Sequence, residues 1–152
     1  MTYWRMQVHP AKPTEAIRYT VESLSAGYIG LDFVIDVPDL LTTTQEALPE
    51  NQKIYGAFAH EMDFGDRVLL FAHHFPLALV RVAGDYNYIR NIAPEMGVWF
   101  RHFRKIDDVR YYGDFVTDAR KWERILMTGT IAPIRDPASQ PYQLIERWLG
   151  SS

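Results

Sequence analysis

The stretch that most constrains the fold runs from residue 58 to residue 88, FAHEMDFGDRVLLFAHHFPLALVRVAGDYNY. It opens with the apolar end of a helix, and Gly65 and Asp66 then turn the chain. Two apolar runs follow, residues 68–72 and 77–82, and both are rich in residues that suit a β-sheet. The four residues between these runs, 73–76, are short enough for a hairpin loop. The stretch therefore predicts a helix followed by a β-hairpin at the centre of the fold.

After this hairpin the sequence becomes polar and aromatic. We expect a loop over residues 84–97 that displays Tyr86 and Tyr88 beside Asp85. A helix, a hairpin and a loop that displays rings are typical of a barrel with a pocket at its rim.

The remaining segments alternate between short strands and short helices. Pro13 and Gly27 mark the start and the stop of the first helix, and Pro49 breaks the second. Further strands and helices are predicted from β-favouring runs and from apolar residues that recur every three or four positions. The further strands are residues 3–8, 28–34, 98–106 and 127–134, and the helices are residues 13–27, 45–61, 118–126 and 139–149.

This order of elements predicts the fold class. Five or six strands dispersed among short helices indicate an α+β domain, built on a small mixed β-barrel and flanked by the helices. The spacing of strands and helices is too irregular for a doubly wound parallel sheet. We expect residues 1–150 to form this single domain, which a longer protein can contain.

Composition limits the classes of protein to which the chain can belong. The 152 residues are 47% apolar and 23% charged, as in ordinary globular domains, and none is cysteine. The lack of cysteine excludes disulfides and thiolate zinc sites, and it favours the reducing cytoplasm. No apolar run approaches the roughly 18 residues of a membrane span, and the first ten residues lack the pattern of a signal peptide. We therefore expect a cytoplasmic protein without a membrane partner.

Charge is distributed unevenly along the chain, whose net charge is −3. Residues 1–80 carry five Lys/Arg and ten Asp/Glu, whereas residues 81–152 carry eleven Lys/Arg and nine Asp/Glu. The negative total argues against nonspecific coating of nucleic acid but not against a local basic face. Residues 101–110 hold four cationic side chains and two aspartates, so this segment is either such a face or solvated charge on a strand.

Motifs for catalysis and for metal binding are missing from the sequence. There is neither a Gly-x-Ser-x-Gly elbow nor a Walker lysine, and the His60-Glu61 pair lacks the second histidine of a zinc motif. His73 and His74 are adjacent, so on a strand their side chains would point in opposite directions and could not easily share one metal. We expect no catalysis, no metal and no cofactor. The histidines are expected to be structural or at the surface, with His73 and His74 as candidates for the rim of a pocket.

A ligand site is instead indicated by Asp32, which interrupts an apolar strand. A carboxylate at such a position is costly unless it is paired or accepts hydrogen bonds. Rings surround it in sequence or by hairpin pairing, and a carboxylate beside rings suits a flat heterocycle with an exocyclic amine, such as cytosine or adenine. The alternative is that Asp32 faces solvent or caps a turn, and that the rings belong to the core.

Four segments, in the right order and spread over residues 2–106, resemble EVE-like domains. YWRMQVHP is similar to the first strand of that family, and GYIGLDFVIDVPDLL to a strand that leads into a Gly-Asp-Leu turn. FAHEMDFGDRVLL is similar to its helix-to-strand step, and LALVRVAGDYNY to the strand and tyrosine-bearing loop that follow. GVWFRHFRKI also resembles the late strand of the related YTH domains. The resemblance implies a PUA-like β-barrel whose pocket takes a modified base flipped out of a nucleic acid.

The resemblance also implies which residues form that pocket. Trp4 matches the tryptophan of the first strand, and Trp99 falls in the strand that closes the cage. Where the family has a ring after the Ile29-Gly30 pair, this chain has Leu31, so Phe33 or Tyr28 would form the second wall. The expected base-binding residues are Trp4, Tyr28, Asp32, Phe33, Tyr86, Tyr88 and Trp99, and the expected phosphate-binding residues are Arg90, Arg101, Arg104 and Lys105.

From this resemblance we expect a specificity module that captures a flipped methylated cytosine or adenine of duplex DNA without catalysis of its own. Related modules lie at the N-terminus of McrBC-type restriction proteins, where a nuclease or motor domain, in the same or a partner chain, cuts the DNA. Two alternatives stay open. The domain can instead be a PUA-like module that binds modified or single-stranded RNA, or a protein-interaction domain that binds no nucleotide.

Overall fold

A computed structural model describes residues 1–8, 13–31, 38–42, 44–72, 75–89, 91–92, 100–113, 125 and 131–150 of the chain. The order of helices and strands confirms an α+β domain. The strands are β1 (Tyr3–Gln7), β2 (Tyr28–Leu31), β3 (Arg67–Ala72), β4 (Phe75–Tyr88), β5 (His102–Tyr111) and β6 (Ile131–Ile134). The helices are α1 (Pro13–Ala26), α2 (Glu50–His60) and α3 (Gln140–Gly150), with a short 3-10 helix at Leu40–Thr42.

All six strands belong to one mixed sheet with the order β2-β5-β4-β3-β1-β6. The pair β1 and β3 is parallel, and the other neighbouring strands are antiparallel. The two edge strands are β2 and β6, and no backbone pairing joins them within the described ranges. There the sheet is open, so its hydrogen bonds do not complete the barrel predicted from the sequence.

Both faces of the central strands are buried, which explains the continuous apolar run of the β3–β4 hairpin. Val68 and Leu70 of β3 pack in the larger core cluster, against residues of α1 and α2. Leu69 and Phe71 point to the opposite face and pack in a second cluster, against residues of α3. Because successive side chains of a strand alternate between faces, a strand covered on both sides needs apolar residues at every position.

The ends of the helices follow their local sequence. Helix α1 begins at Pro13, has Glu15 in its first turn and is followed by Gly27 at φ = 89°. That left-handed conformation favours glycine and closes the helix. Pro49 caps the N-terminus of α2, so the predicted break at this residue is confirmed.

Three predicted boundaries in the second half of the sheet were wrong. Strand β4 continues to Tyr88, where a loop was predicted from residue 84, and β5 begins at His102 instead of residue 98 and ends at Tyr111. The cause is tertiary pairing, since residues 86–88 of β4 form a ladder with residues 102–104 of β5 after a register shift. A polar, aromatic segment extends when a neighbouring strand satisfies its backbone groups. Most of the helix predicted at 118–126 lies outside the described residues.

Candidate functional site

A chain of hydrogen-bonded polar groups lies buried where β4 ends and β5 begins. The hydroxyl of Tyr86 lies 2.7 Å from Nδ1 of His102 and 3.0 Å from the backbone nitrogen of Leu40. The carbonyl oxygen of Leu40 in turn lies 2.8 Å from Nε2 of His60. Tyr86 is 5% exposed and His102 is fully buried. These contacts tie α2 and the 3-10 helix to the two strands.

The Tyr86 oxygen accepts the Leu40 N–H, because that group can only donate. The direction of the hydrogen bond between Tyr86 and Nδ1 of His102 is set by the tautomer of the imidazole ring. Burial raises the pKa of Tyr86, and so does the nearby Asp39 carboxylate, against an opposing effect of the Leu40 N–H, so the hydroxyl keeps its proton.

Of the two tyrosines that the sequence placed in the loop after the hairpin, Tyr86 and Tyr88, only Tyr88 reaches the surface. Tyr86 and Tyr88 are two residues apart on β4, so their side chains share one face of the sheet. The ring of Tyr86 packs edge-on against Phe58 in the core, whereas Tyr88 is half-buried with its ring centroid 5.0 Å from that of His102. Tyr88 therefore exposes part of its ring to a ligand, whereas Tyr86 lies in the core on the same face of the sheet.

Trp4 lies in the core and away from Tyr88. Its side chain is 3% exposed, and its Nε1 donates to Oδ2 of Asp66 at 3.0 Å. Trp4 is level with Val68 of β3, which pairs with Val80 of β4. Tyr88 follows eight residues farther along β4, a distance of roughly 25 Å at ~3.3 Å per residue. The structure therefore does not bring Trp4 and Tyr88 together.

Arg104 is buried, and its guanidinium is directed at backbone carbonyl oxygens. Nε donates to Phe58 O at 2.7 Å, and Nη2 donates to Ala59 O at 3.3 Å and to Met62 O at 2.9 Å. Nη1 donates to Gly84 O on β4 at 2.8 Å. These donors satisfy carbonyls at the C-terminus of α2 that have no partner within the helix. Burial lowers the pKa of Arg104, while the carboxylates of Asp85, Asp63 and Asp66 oppose this effect.

The predicted phosphate-binding residues do not share one face of β5. Arg104 points into the core with His102, whereas Lys105 is exposed on the outer face, where Phe103 also lies. The alternation of the strand sequence already separates these residues, since side chains one position apart point in opposite directions. Arg101 is half-buried, immediately before β5.

The outer face of β2 and β5 carries two half-buried rings. Tyr28 and Phe103 pack edge-to-face with ring centroids 5.2 Å apart. Tyr28 is paired in register with Lys105, so an exposed ammonium lies beside the rings. Of the predicted pocket residues, Tyr28 therefore lies at the edge of the sheet.

The other cationic residues near β5 are held in ion pairs. Arg81 donates to both carboxylate oxygens of Asp107, each at 2.7 Å. Asp108 accepts from Arg67 at 2.6 Å and from Arg110 at 3.2 Å and 3.3 Å. These contacts hold the pKa of both aspartates below the usual value, with the Arg81 hydrogen bond acting first on Asp107 and that of Arg67 on Asp108.

A small, mostly apolar cavity lies between α1 and β2. It holds about 10 Å³, which is the room for one water molecule. Thr20 and Ser23 of α1 line it together with Gly30 and Phe100, and the Ser23 hydroxyl is buried without a hydrogen-bond partner in the structure. A Cβ at residue 30 would lie 2.5 Å from that of Phe100, so glycine permits this close approach.

The cavity and Tyr88 are near each other, on either side of His102 of β5. Leu31 of β2 and Tyr88 of β4 are both register partners of His102. With strands about 4.8 Å apart, the end of β2 and Tyr88 are separated by roughly 10 Å. The sequence did not predict this cavity. The signal for it was that Thr20 and Ser23, two polar residues, fall with Ala16 on the buried face of α1.

Several predicted residues lie outside the described part of the chain. They are Asp32, Phe33, Trp99 and Arg90 of the expected site, together with His73 and His74. In sequence, Asp32 and Phe33 directly follow the last residue of β2, and Trp99 directly precedes Phe100. Their roles stay predictions.

Comparison with known proteins leaves the family open. The sequence matches no protein-family model and no curated protein. Among the residues that the structure describes, no cluster of His, Asp and Glu has a metal-binding arrangement. None of the helices described is long and apolar enough to cross a membrane.

Proposed function

We propose that this chain is a nucleic-acid-binding module with a PUA-like barrel, which captures a flipped, methylated base of duplex DNA and catalyses no reaction. The observation that carries the proposal is the small, mostly apolar cavity between α1 and β2, which is bordered by Tyr28 and Phe100 and is also lined by Ser23, whose buried hydroxyl has no partner in the structure. A buried hydroxyl without a partner is costly and is satisfied when a ligand supplies one.

The same cavity supports a barrel-like curvature of the sheet. Met6 of β1 and Ile29 of β2 both line it, although β5, β4 and β3 separate these two strands in the sheet. A flat sheet would hold strands four positions apart at roughly 19 Å, using a spacing of ~4.8 Å. The sheet therefore curls toward closure, and α1 fills the remaining gap with Thr20 and Ser23.

The arrangement offers the kinds of contact that a flipped base requires. Flipping costs a few kcal/mol, and one stacked ring contributes ~1–3 kcal/mol. Tyr88 at the surface, and Trp99 and Phe33 in the adjoining sequence, supply rings, while Asp32 and Ser23 supply hydrogen bonds. As it stands the cavity admits one water, so base entry requires Phe100 to move. Two rings and one hydrogen bond would offset the flip and leave modest affinity.

Phosphate contacts are assigned to three cations of the predicted set. Lys105 is exposed and forms no ion pair with any residue in the described ranges, and Arg101 is half-buried four residues before it. Arg90 is the third residue that we assign to phosphate, whereas Arg104 donates to a carbonyl oxygen at the C-terminus of α2. Because these contacts displace counterions, binding should weaken as salt rises. A nuclease or motor domain, in the same or a partner chain, would then cut the DNA.

A second candidate function is the binding of single-stranded or modified RNA. It is favoured by the outer face of β2 and β5, where the half-buried rings of Tyr28 and Phe103 lie beside Lys105. Rings on an open sheet face stack with unpaired bases, and a neighbouring cation holds the backbone. On this alternative the cavity behind Gly30 would have no ligand.

Fluorescence anisotropy distinguishes these functions. Duplexes that are unmodified, or that carry 5-methylcytosine or N6-methyladenine, are compared with single-stranded RNA at two salt concentrations. The wild-type protein should prefer one methylated duplex by roughly tenfold to a hundredfold, as expected for a pocket shaped around a methyl group. Trp99→Ala, Tyr88→Ala and Ser23→Ala should each reduce that preference.

The matched control is Phe64→Ala. Phe64 is 71% exposed in the turn between α2 and β3, so its loss removes a ring without touching the proposed pocket. Equal binding to all duplexes, unchanged by the three pocket variants, would contradict base capture. Tighter binding of RNA that falls on Phe103→Ala would favour the RNA module. No binding and no rise in melting temperature with any oligonucleotide would favour a protein-interaction domain.

A further inference from the structure

Two adjoining clefts run along β6 on the face of the sheet that α3 covers. The first has a volume of about 320 Å³ and is lined by Tyr3, Tyr142 and Arg135, among others. The second has a volume of about 220 Å³ and extends past Arg5 to the start of α3. Both clefts share Ile134 and Arg135, so they form one groove, which we call the β6 groove. Ligand sites for small molecules span roughly 300–1,000 Å³, so the groove is large enough for one.

Two arginines line this groove, and neither has a side-chain partner among the residues that the structure describes. Arg135 is exposed, and Arg5 is half-buried on β1. Within the described chain, neither guanidinium forms an ion pair or a side-chain hydrogen bond. By contrast, Arg67, Arg81 and Arg110 on the same side of the protein all bind aspartates.

Partial burial of Arg5 makes an unpaired charge there unfavourable. Burial lowers the pKa of Arg5, but a guanidinium keeps its charge at neutral pH. Asp136 also lines the groove, and its Oδ1 accepts the backbone N–H of Ala138 at 2.9 Å. A phosphate placed between the two arginines would receive the charged, forked hydrogen bonds that guanidinium groups form best.

An aromatic wall completes the groove. The rings of Tyr3 and Tyr142 are in contact, with centroids 4.9 Å apart at an angle of 51°. The Tyr3 hydroxyl donates to Glu146 at 2.8 Å, which fixes the ring of Tyr3 from behind. Tyr142 is half-buried, so one side of its ring can receive a flat group.

From these features we infer that the β6 groove binds a nucleoside phosphate, with the base against Tyr142 and the phosphate between Arg135 and Arg5. This site is separate from the cavity beside β2, and the inference does not rest on the proposed function. The nucleoside phosphate can be a free nucleotide or one unit of a nucleic acid, since both present the same ring and the same anion.

The test is titration of the full ¹⁵N-labelled chain, followed by two-dimensional NMR of its amide groups. AMP should shift the amides of Ile134, Arg135 and Tyr142 in a saturable manner. Adenosine and inorganic phosphate, added separately, should each bind about tenfold or more weakly, because each lacks half of the contacts. A short deoxyadenylate oligonucleotide in a parallel titration identifies the source. Tighter binding of AMP indicates a free nucleotide, and tighter binding of the oligonucleotide indicates a nucleic acid.

Arg135→Gln is the decisive variant, because the side chain is exposed and its loss should leave the fold intact. It should weaken AMP binding about tenfold, the effect of one charged hydrogen-bonding partner. Arg18→Gln is the matched control, since Arg18 is 69% exposed on α1 and away from the groove. The inference is overturned if AMP causes no saturable shift at these amides, if adenosine binds as tightly as AMP, or if the two variants behave alike.

Discussion

Replacement of Arg104 by methionine separates a structural from a nucleic-acid-binding role for this arginine. The sequence placed Arg104 among the phosphate-binding residues, whereas the structure directs its guanidinium at four backbone carbonyls of residues 58, 59, 62 and 84. Methionine keeps much of the length and the apolar stem of the side chain. The substitution therefore removes the hydrogen bonds and the charge with little change in volume.

The expected loss of stability follows from these contacts. A hydrogen bond to a charged group contributes ~1.5–3 kcal/mol, so four such bonds set an upper limit of roughly 6–12 kcal/mol. The bonds share one side chain and are not independent, and removal of a buried guanidinium also relieves its desolvation. The substitution leaves neutral carbonyls without a donor, and each one that stays buried and unsatisfied costs ~1–3 kcal/mol. After the relief of desolvation, we expect Arg104→Met to cost about 3–5 kcal/mol, out of a total stability of about 5–15 kcal/mol.

Urea unfolding followed by circular dichroism measures this loss directly. Arg104→Lys should recover part of it, because an ammonium keeps the charge but cannot reach four carbonyls with the geometry of a planar fork. Lys105→Met is the matched control, since Lys105 is the exposed neighbour on the same strand. Its free energy of unfolding should change by no more than about 0.5 kcal/mol.

The opposite pattern would refute this reasoning. If the free energy of unfolding of Arg104→Met lies within about 0.5 kcal/mol of that of the parent protein, while nucleic acid binding becomes weaker and less sensitive to salt, then Arg104 contacts phosphate. If instead Arg104→Met is less stable but its folded molecules bind nucleic acid with unchanged affinity, then the role of Arg104 is to satisfy the carbonyls at the C-terminus of α2.

Two further changes test the polar contacts around the sheet. Tyr86→Phe should cost about 2–3 kcal/mol in urea unfolding, because the Leu40 N–H and Nδ1 of His102 both lose their partner in the core; an unchanged midpoint would show that another group replaces the hydroxyl. Asp108→Asn should lower stability at pH 7 by up to about 1 kcal/mol, and asparagine tolerates the residue's φ of 46°. Since Arg67 lowers the pKa of Asp108, its contribution is complete above the unfolded pKa of about 4 and is lost as the pH falls through the folded value. Thermal unfolding from pH 7 to pH 2 should therefore show the two proteins converging in acid, and a constant difference would exclude a role for the charge.

The sequence by itself determined the order of the helices and strands in the part of the chain that the structure describes. Pro13, Gly27 and Pro49 act within a few residues, so the ends of α1 and the start of α2 were predictable. The hairpin was predictable because its apolar runs are continuous and separated by a short gap. These features depend on local backbone preference and periodicity, which the sequence displays directly.

Only the tertiary structure decided what the polar residues of β4 and β5 do. Arg104 meets Phe58, which is 46 residues away in the chain, and the Tyr86 hydroxyl meets Leu40 at the same separation. Residues 86–88 became a strand because β5 lies beside them. A side chain's charge or ring predicts which partners suit it, but long-range packing selects the partner. For this reason two residues expected at a ligand site, Arg104 and Tyr86, instead satisfy groups of the core.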